Sequence, residues 1–314
     1  LDEEIDIQNI NDLSKNLDSD LKVDYDSKDK EITDIKEDIN ENNTSYYIEN
    51  PYSLNIGYLV NGEIILFNFP GRNVFENMNE LVSCMSGIED KCYINVPMDN
   101  ISFYSDNMEM IEMDTGEFVF SRNTDDSTME SSIPKDQYDK AYIQFEKDET
   151  GIYGIDYFVL DGQNNPNASV NRLALSSAIQ MSTSEDDGKF ITTIGSYSSY
   201  SPEYFSCDKV NASYLDEESL MKQFNELKKN QLQVTQYSNG HIKGTVHSDG
   251  DKNILFTTIP YDPGWKAYIN GIETEPIRVI DGAFIAIILP GEGDYNVSLD
   301  FECPGLKIGI IVSV

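Results

Sequence analysis

The feature that most constrains this chain is a run of short, alternating apolar segments after residue 230. Seven of them follow one another: Leu232–Tyr237, His241–His247, Ile254–Ile259, Trp265–Ile269, Ile277–Ile280, Ala283–Leu289 and Tyr295–Phe301. Turn residues separate them, at Asn239-Gly240, Asp249-Gly250, Asp262-Pro263-Gly264, Asn270-Gly271, Asp281-Gly282 and Pro290-Gly291. Successive side chains of a strand point to opposite faces, and Gly, Asn, Asp and Pro supply the backbone angles that tight turns require. Strands this short and this regularly punctuated predict a β-sandwich of jelly-roll or carbohydrate-binding-module type. The expected class is mainly β with a few short helices.

Two segments break the period of two. Asn73 stands where an N-cap belongs, with Glu76 three residues on, and Gly87 sits where a left-handed C-cap would end a helix. Between them Phe75, Met78, Leu81, Val82 and Met85 share one face, which reads as core. Asp216 caps a second helix on which Leu220, Phe224 and Leu227 align, and Lys228-Lys229 complement its negative C-terminal end. Leu54–Phe69 is strand-like, with Asn61-Gly62 as a hairpin turn. Further on, Phe118 and Phe120, then Tyr142, Ile143 and Phe145, then Ile152–Leu160 and Phe190–Ile194, read as strands. Val170, Leu173, Ala174, Ala178 and Met181 fit a helical face. With 314 residues the chain exceeds a typical single domain. The expected division is an acidic arm or linker at 1–45, a first β-rich domain at 46–212 with a helix near 74–86, and a helix plus second β-sandwich domain at 213–304. Ile308–Val314 is a largely apolar run, and 305–314 reads as the truncated start of a transmembrane helix, or else as a final buried strand.

Charge excludes some partners. Against 22 basic residues stand 56 acidic ones, a formal net charge of −34. Such a field repels nucleic acid and anionic head groups, so neither is an expected partner. Cations, neutral sugars and basic protein surfaces fit it better. Residues 1–50 alone carry 16 acids and 5 lysines; a weak helix and an acidic linker are both tenable there. Asp24, Asp26 and Asp29 suggest a calcium loop, but Asp29 occupies the position that an EF-hand reserves for Gly. No cofactor or metal is expected. The four cysteines, Cys84, Cys92, Cys207 and Cys303, lack CxxC spacing, and a Cys84–Cys92 bridge and free thiols are equally open. His241 and His247 fall on one face of a strand, about 20 Å apart, too far for one ion.

No catalytic constellation stands out. Adjacent carboxylates such as Asp125-Asp126, Asp186-Asp187 and Glu217-Glu218 are expected by chance among so many acids, and Ser196–Ser201 lacks the context of a nucleophile. Asn43, Asn100, Asn167, Asn211 and Asn296 open Asn-x-Ser/Thr triplets that read as surface turns. The candidate ligand-binding residues are Tyr261 and Trp265, flanking a Pro263-Gly264 turn in which Gly264 frees φ. They are either core aromatics or a stacking platform for a sugar, and the core is the plainer reading.

Longer motifs resemble the YfhO family of bacterial multi-pass membrane proteins. They are Tyr214-Leu-Asp-Glu-Glu, Leu227-Lys-Lys-Asn230, Ile242-Lys-Gly244, Phe256-Thr-Thr-Ile-Pro-Tyr-Asp-Pro-Gly-Trp265, Asn270-Gly271 and Pro304-Gly-Leu-Lys-Ile-Gly309. Upstream, Glu49-Asn-Pro-Tyr-Ser-Leu-Asn-Ile-Gly-Tyr58, Phe75-Glu-Asn-Met-Asn79 and Ser86-Gly87 are similar too. The resemblance covers about 47–90 and 205–310, and residues 1–45 depart from it. It implies an extracytoplasmic part of a protein in the cell membrane of a Gram-positive bacterium, attached to its own transmembrane domain. It also implies a role in glycosylating surface polymers such as teichoic acids by a GT-C-type glycosyltransferase, with the catalytic acids in a loop outside these residues. A free-standing carbohydrate-binding or adhesion module is the alternative.

Overall fold

The computed structural model describes residues 36–40, 43–47, 50–123, 127–146, 157–160, 178–183, 188–196 and 204–305. The chain divides into two units, Leu1–Ser53 and Leu54–Val314. In the first, β1 (Lys36–Asn40) and β2 (Asn43–Tyr47) pair as an antiparallel hairpin. Part of the stretch expected to be an acidic arm is thus paired backbone, while Asp24, Asp26 and Asp29 lie outside the described residues.

The second unit opens with β3 (Gly57–Val60), whose partners come much later in the chain. Asn61-Gly62 does not make the expected hairpin. The Asn61 side chain accepts from the Gly62 N–H and caps a 3-10 helix over Gly62–Leu66, because its backbone stays extended at φ −64°. A type I′ hairpin would need positive φ there.

The middle of the chain forms a sandwich. Its larger sheet has eight strands, β4 (Tyr93–Val96), β5 (Ser102–Asp106), β8 (Thr128–Pro134), β9 (Ala141–Glu146), β10 (Tyr157–Leu160), β11 (Ala178–Thr183), β12 (Lys189–Ser196) and β14 (Lys209–Leu215). They run in the order β4-β14-β9-β11-β12-β8-β5, with β10 also beside β12. The smaller sheet is built from β6 (Met108–Glu112), β7 (Phe118–Arg122) and β13 (Tyr204–Cys207), in the order β13-β7-β6. Phe120, Met129, Ile143, Phe145, Phe190 and Ile194 form its fully buried core. Ala178 and Met181 are strand residues and not helical ones; β11 pairs with β9 through Ala178–Met181 and with β12 through Ser182 and Thr183. This double pairing, a tertiary effect, overrides a local spacing that merely suits a helix. Val170, Leu173 and Ala174 of the expected helical face lie outside the described residues.

The C-terminal sandwich contains every strand expected after residue 230, plus a short one. One sheet holds β15 (Gln233–Ser238), β16 (His241–Ser248), β18 (Trp265–Ile269), β19 (Ile272–Thr274) and β22 (Gly293–Phe301), in the order β15-β16-β22-β18-β19. Facing it, β17 (Ile254–Pro260), β20 (Ile277–Val279) and β21 (Phe284–Ile288) join β3 in the four-stranded sheet β20-β21-β17-β3. Leu59, Leu255, Ile285, Ile287, Val297 and Leu299 fill the space between. On the other face of the four-stranded sheet, Tyr58, Val60, Phe256 and Ala286 pack with Ile64, Met85 and Leu227 from the helices. Burial on both faces explains why β17 and β21 read Ile-Leu-Phe and Phe-Ile-Ala-Ile-Ile without alternation.

The two helices, Val74–Ser86 and Glu217–Lys228, form where their caps predict. Asn73 Oδ1 accepts from the Phe75 and Glu76 N–H groups, Gly87 takes φ +77°, and Asp216 accepts from Ser219. The stripe on the first helix needs one correction. Met78 is 40% exposed, whereas Asn79, at 9%, points inward. Its Oδ1 accepts from the Cys92 and Tyr93 N–H groups at 2.9 and 2.8 Å, and its Nδ2 donates to Tyr93 O at 2.8 Å. The amide thus acts as a stretch of strand backbone that ties the helix to β4.

Candidate functional site

Tyr261 and Trp265 are both half-buried and pack against the core between the two C-terminal sheets. The Trp265 ring tilts against Phe301 with centroids 5.1 Å apart. The Arg278 guanidinium lies 3.9 Å from the centroid of the Tyr261 ring, and its Nη2 donates to the Tyr261 hydroxyl at 2.9 Å. One face of that ring is therefore occupied by a cation. Gly264 is present for a reason other than free φ. A Cβ there would meet Glu302 O at 2.5 Å and Phe301 Cε2 at 2.7 Å, and its φ is not positive. Close backbone approach, with the Gly264 N–H donating to Asp262 Oδ1 at 2.7 Å, fixes the turn.

A second place emerges from strand register. On β16 the exposed positions are Lys243, Thr245 and His247, with His241 half-exposed; Ile242, Gly244 and Val246 face inward. Across β22 their direct partners are Ser298, Asn296, Asp294 and Asp300. Each histidine thus meets a carboxylate: His247 Nδ1 lies 2.7 Å from Asp294 Oδ1, and His241 pairs with Asp300. The two histidines share a face as the sequence predicts, but neither pairs with the other. Among the described residues no group of three potential ligands is placed to hold a metal ion.

One end of this face deepens into a cleft of about 270 Å³. The connection Lys229–Gln231 meets the start of β15 at Gln233, the end of β16 at Thr245 and His247, and the start of β22 at Asp294, Tyr295 and Asn296. The frame around it is held from several sides. Asn230 donates to Asp249, Gln231 Oε1 accepts from the Asn55 N–H at 2.6 Å, and the Tyr295 hydroxyl donates to Gly291 O at 3.2 Å. Asn270 and Asn296 exchange bonds, Asn270 N–H to Asn296 O and Asn296 N–H to Asn270 Oδ1. Lys229 is bound to Glu226 at 2.5 Å, a contact that raises the lysine pKa and lowers that of Glu226, which Lys252 also contacts. The sequence alone does not reveal this cleft. Its members belong to three strands and a connection, and only the alternation of β16 hints at a polar face. Asn296, like Asn211, sits on a strand and not on the surface turn that its triplet suggests.

The cysteines resolve as free thiols, all four unpaired by disulfides. Burial, aided by Glu63 and Glu80, pushes the Cys84 thiol up to about 11, and burial with Asp216 and Asp90 does the same for Cys92.

Comparison with known proteins settles the family. The model of the bacterial membrane protein YfhO matches residues 6–313. The chain belongs to the YfhO family. The match takes in residues 6–45, where the resemblance of individual motifs stops. No curated protein matches the chain. Among solved structures, the conserved protein of unknown function PA5104 from Pseudomonas aeruginosa PAO1 is similar over 64% of this chain and 93% of its own, at 7% identity and a TM-score of 0.17. That superposition is too poor to carry an argument about fold. For this YfhO-family chain, no helix among the described residues is long and apolar enough to cross a membrane. Several family-like motifs have structural roles. Asn79, Gly87, Asp216 and Gly264 are caps, latches or close approaches, and none of them lines the cleft.

Proposed function

We propose that this chain is the extracytoplasmic part of a polytopic YfhO-family protein, and that it supports the glycosylation of cell-surface polymers of teichoic-acid type by a GT-C-like machine. The observation that carries this reading is membership of a membrane-protein family by a chain whose described residues hold no bilayer-crossing helix. The role fits the electrostatics. A strongly acidic domain repels anionic lipid and nucleic acid and leaves neutral glycans as natural partners. Chemistry is assigned to the transmembrane part; this segment shields or orients that active site. Half-buried Tyr261 and Trp265 are the aromatic side chains proposed to stack against a sugar ring.

Two experiments test the proposal. In the whole protein with Cys84, Cys92 and Cys207 replaced, exposed Cys303 should react with a membrane-impermeant maleimide on intact cells. Labelling only after lysis would put the domain on the wrong side. Deleting the gene should lower the sugar content of the surface polymer, and an unchanged polymer would sink the glycosylation role.

A further inference from the structure

We propose that the cleft at the end of the five-stranded sheet is a subsite for a neutral saccharide. This rests on the proposal that the domain handles a glycan, and it names where and by what chemistry.

Gln233, Thr245 and Asn296 form one row across the sheet, since Gln233 is the register partner of Thr245, and Thr245 that of Asn296. Two amides and a hydroxyl in a row offer donors and acceptors in alternation, a match to sugar hydroxyls, which also act as both. The next row is His247 and Asp294. Asp294 engages Nδ1 and so leaves the Nε2 of His247 facing outward as a further polar contact. Tyr295, the register partner of inward-facing Val246, packs against the core on the other face of the sheet and, anchored through its hydroxyl, stiffens the strand that carries Asp294 and Asn296. A few precisely placed polar groups in a concavity are what fix a small ligand's orientation.

Charge selects the ligand class. Among the described residues, Lys229 is the one lysine lining the cleft; it is compensated by Glu226, and Asp294 is exposed. A phosphate or carboxylate would meet that exposed carboxylate, in the field of a chain with net charge −34. A neutral sugar meets neither obstacle. The pairings around the cleft hold its frame, the Lys229–Gln231 connection and the backbone of β22, before any ligand arrives, which lowers the ordering cost of binding.

The test uses the 314-residue chain and three probes: maltotriose, chitotriose and a glycerol phosphate trimer, titrated in calorimetry and in amide NMR. At least one of the two saccharides should bind saturably, with the largest shifts at Thr245, His247 and Asn296. Asn296→Ala and Thr245→Val should each weaken binding about fivefold or more, the equivalent of one lost hydrogen bond, at unchanged melting temperature. Tyr104→Ala, at an exposed position of β5 in the other sandwich, should leave the affinity as it was. Saturable binding that ignores both cleft variants, binding of the phosphate trimer alone, or no binding of either saccharide would each overturn the subsite. Those outcomes leave the topology and polymer assays untouched, so failure of the cleft is distinguishable from failure of the glycosylation reading.

Discussion

At the scale of single residues, the side chains that matter most to architecture are polar ones turned inward. Asn79 satisfies two strand N–H groups and one carbonyl from a helix. Asn79→Ala would leave those groups buried and unmet, and chemical denaturation should show a loss of about 2–4 kcal/mol. A loss under about 0.5 kcal/mol would mean that water replaces the amide. The thiols give a pH prediction. Cys92 is neutral in the fold and titrates at about 11, against an ordinary value of 9.0. Its folded pKa is raised, so its contribution to stability is intact below pH 9 and is lost as pH climbs toward 11, where the unfolded chain has already released the proton. Thermal melts should therefore fall over that window, and less steeply for Cys92→Ala. At about pH 8 a maleimide should modify exposed Cys303 well before Cys84 or buried Cys92. Equal rates would contradict the burial.

At the scale of elements, local chemistry is legible in the sequence and partnership is not. Asn73, Gly87 and Asp216 announce helix ends because capping is a matter of a few adjacent residues. The strands after residue 230 announce themselves because their turns are equally local. Asn61-Gly62 is ambiguous because the same pair serves a hairpin or a cap, and the backbone it adopts is set by the packing of Ile64 beyond it. Ala178–Thr183 misleads because its two partner strands, β9 and β12, override its spacing. The cleft is invisible in the sequence for a related reason. Gln233, Thr245 and Asn296 meet only once register is fixed, and register is a property of three strands together. Turns can also be tested as elements. In Gly264→Ala the new methyl meets backbone, not a flexible side-chain end, so the Asp262–Trp265 turn must shift away from Phe301 and Glu302. The expected cost is about 2–3 kcal/mol in denaturant titrations. Gly271→Ala, in open space at φ +81°, should cost only the strain of its left-handed backbone, about 1 kcal/mol. Equal losses at the two sites would remove the argument for close approach.

For the molecule as a whole, a net charge of −34 works against compaction. The described lysines are mostly engaged, as in Lys140–Glu217, Lys222–Asp90 and Lys252–Glu226, so acids remain in excess over the surface. Raising sodium chloride from about 0.02 to 0.5 M should therefore raise the melting temperature by a few degrees through screening. A fall would show that the individual ion pairs outweigh the general repulsion.

The long-range pairing of β3 has a consequence in time. Thr258 donates to Ile56 O across 202 residues of chain, and Gly57–Val60 finds β17 only at that remove. At about 5–20 residues per second, a ribosome needs roughly 10–40 s to supply the partner strand. Through that interval the apolar segment Gly57–Val60 waits without its sheet, while the middle sandwich can already close from residues made in between. β3 can therefore pair only once the chain has been made through β17, by which point every strand of the middle sandwich has already been made.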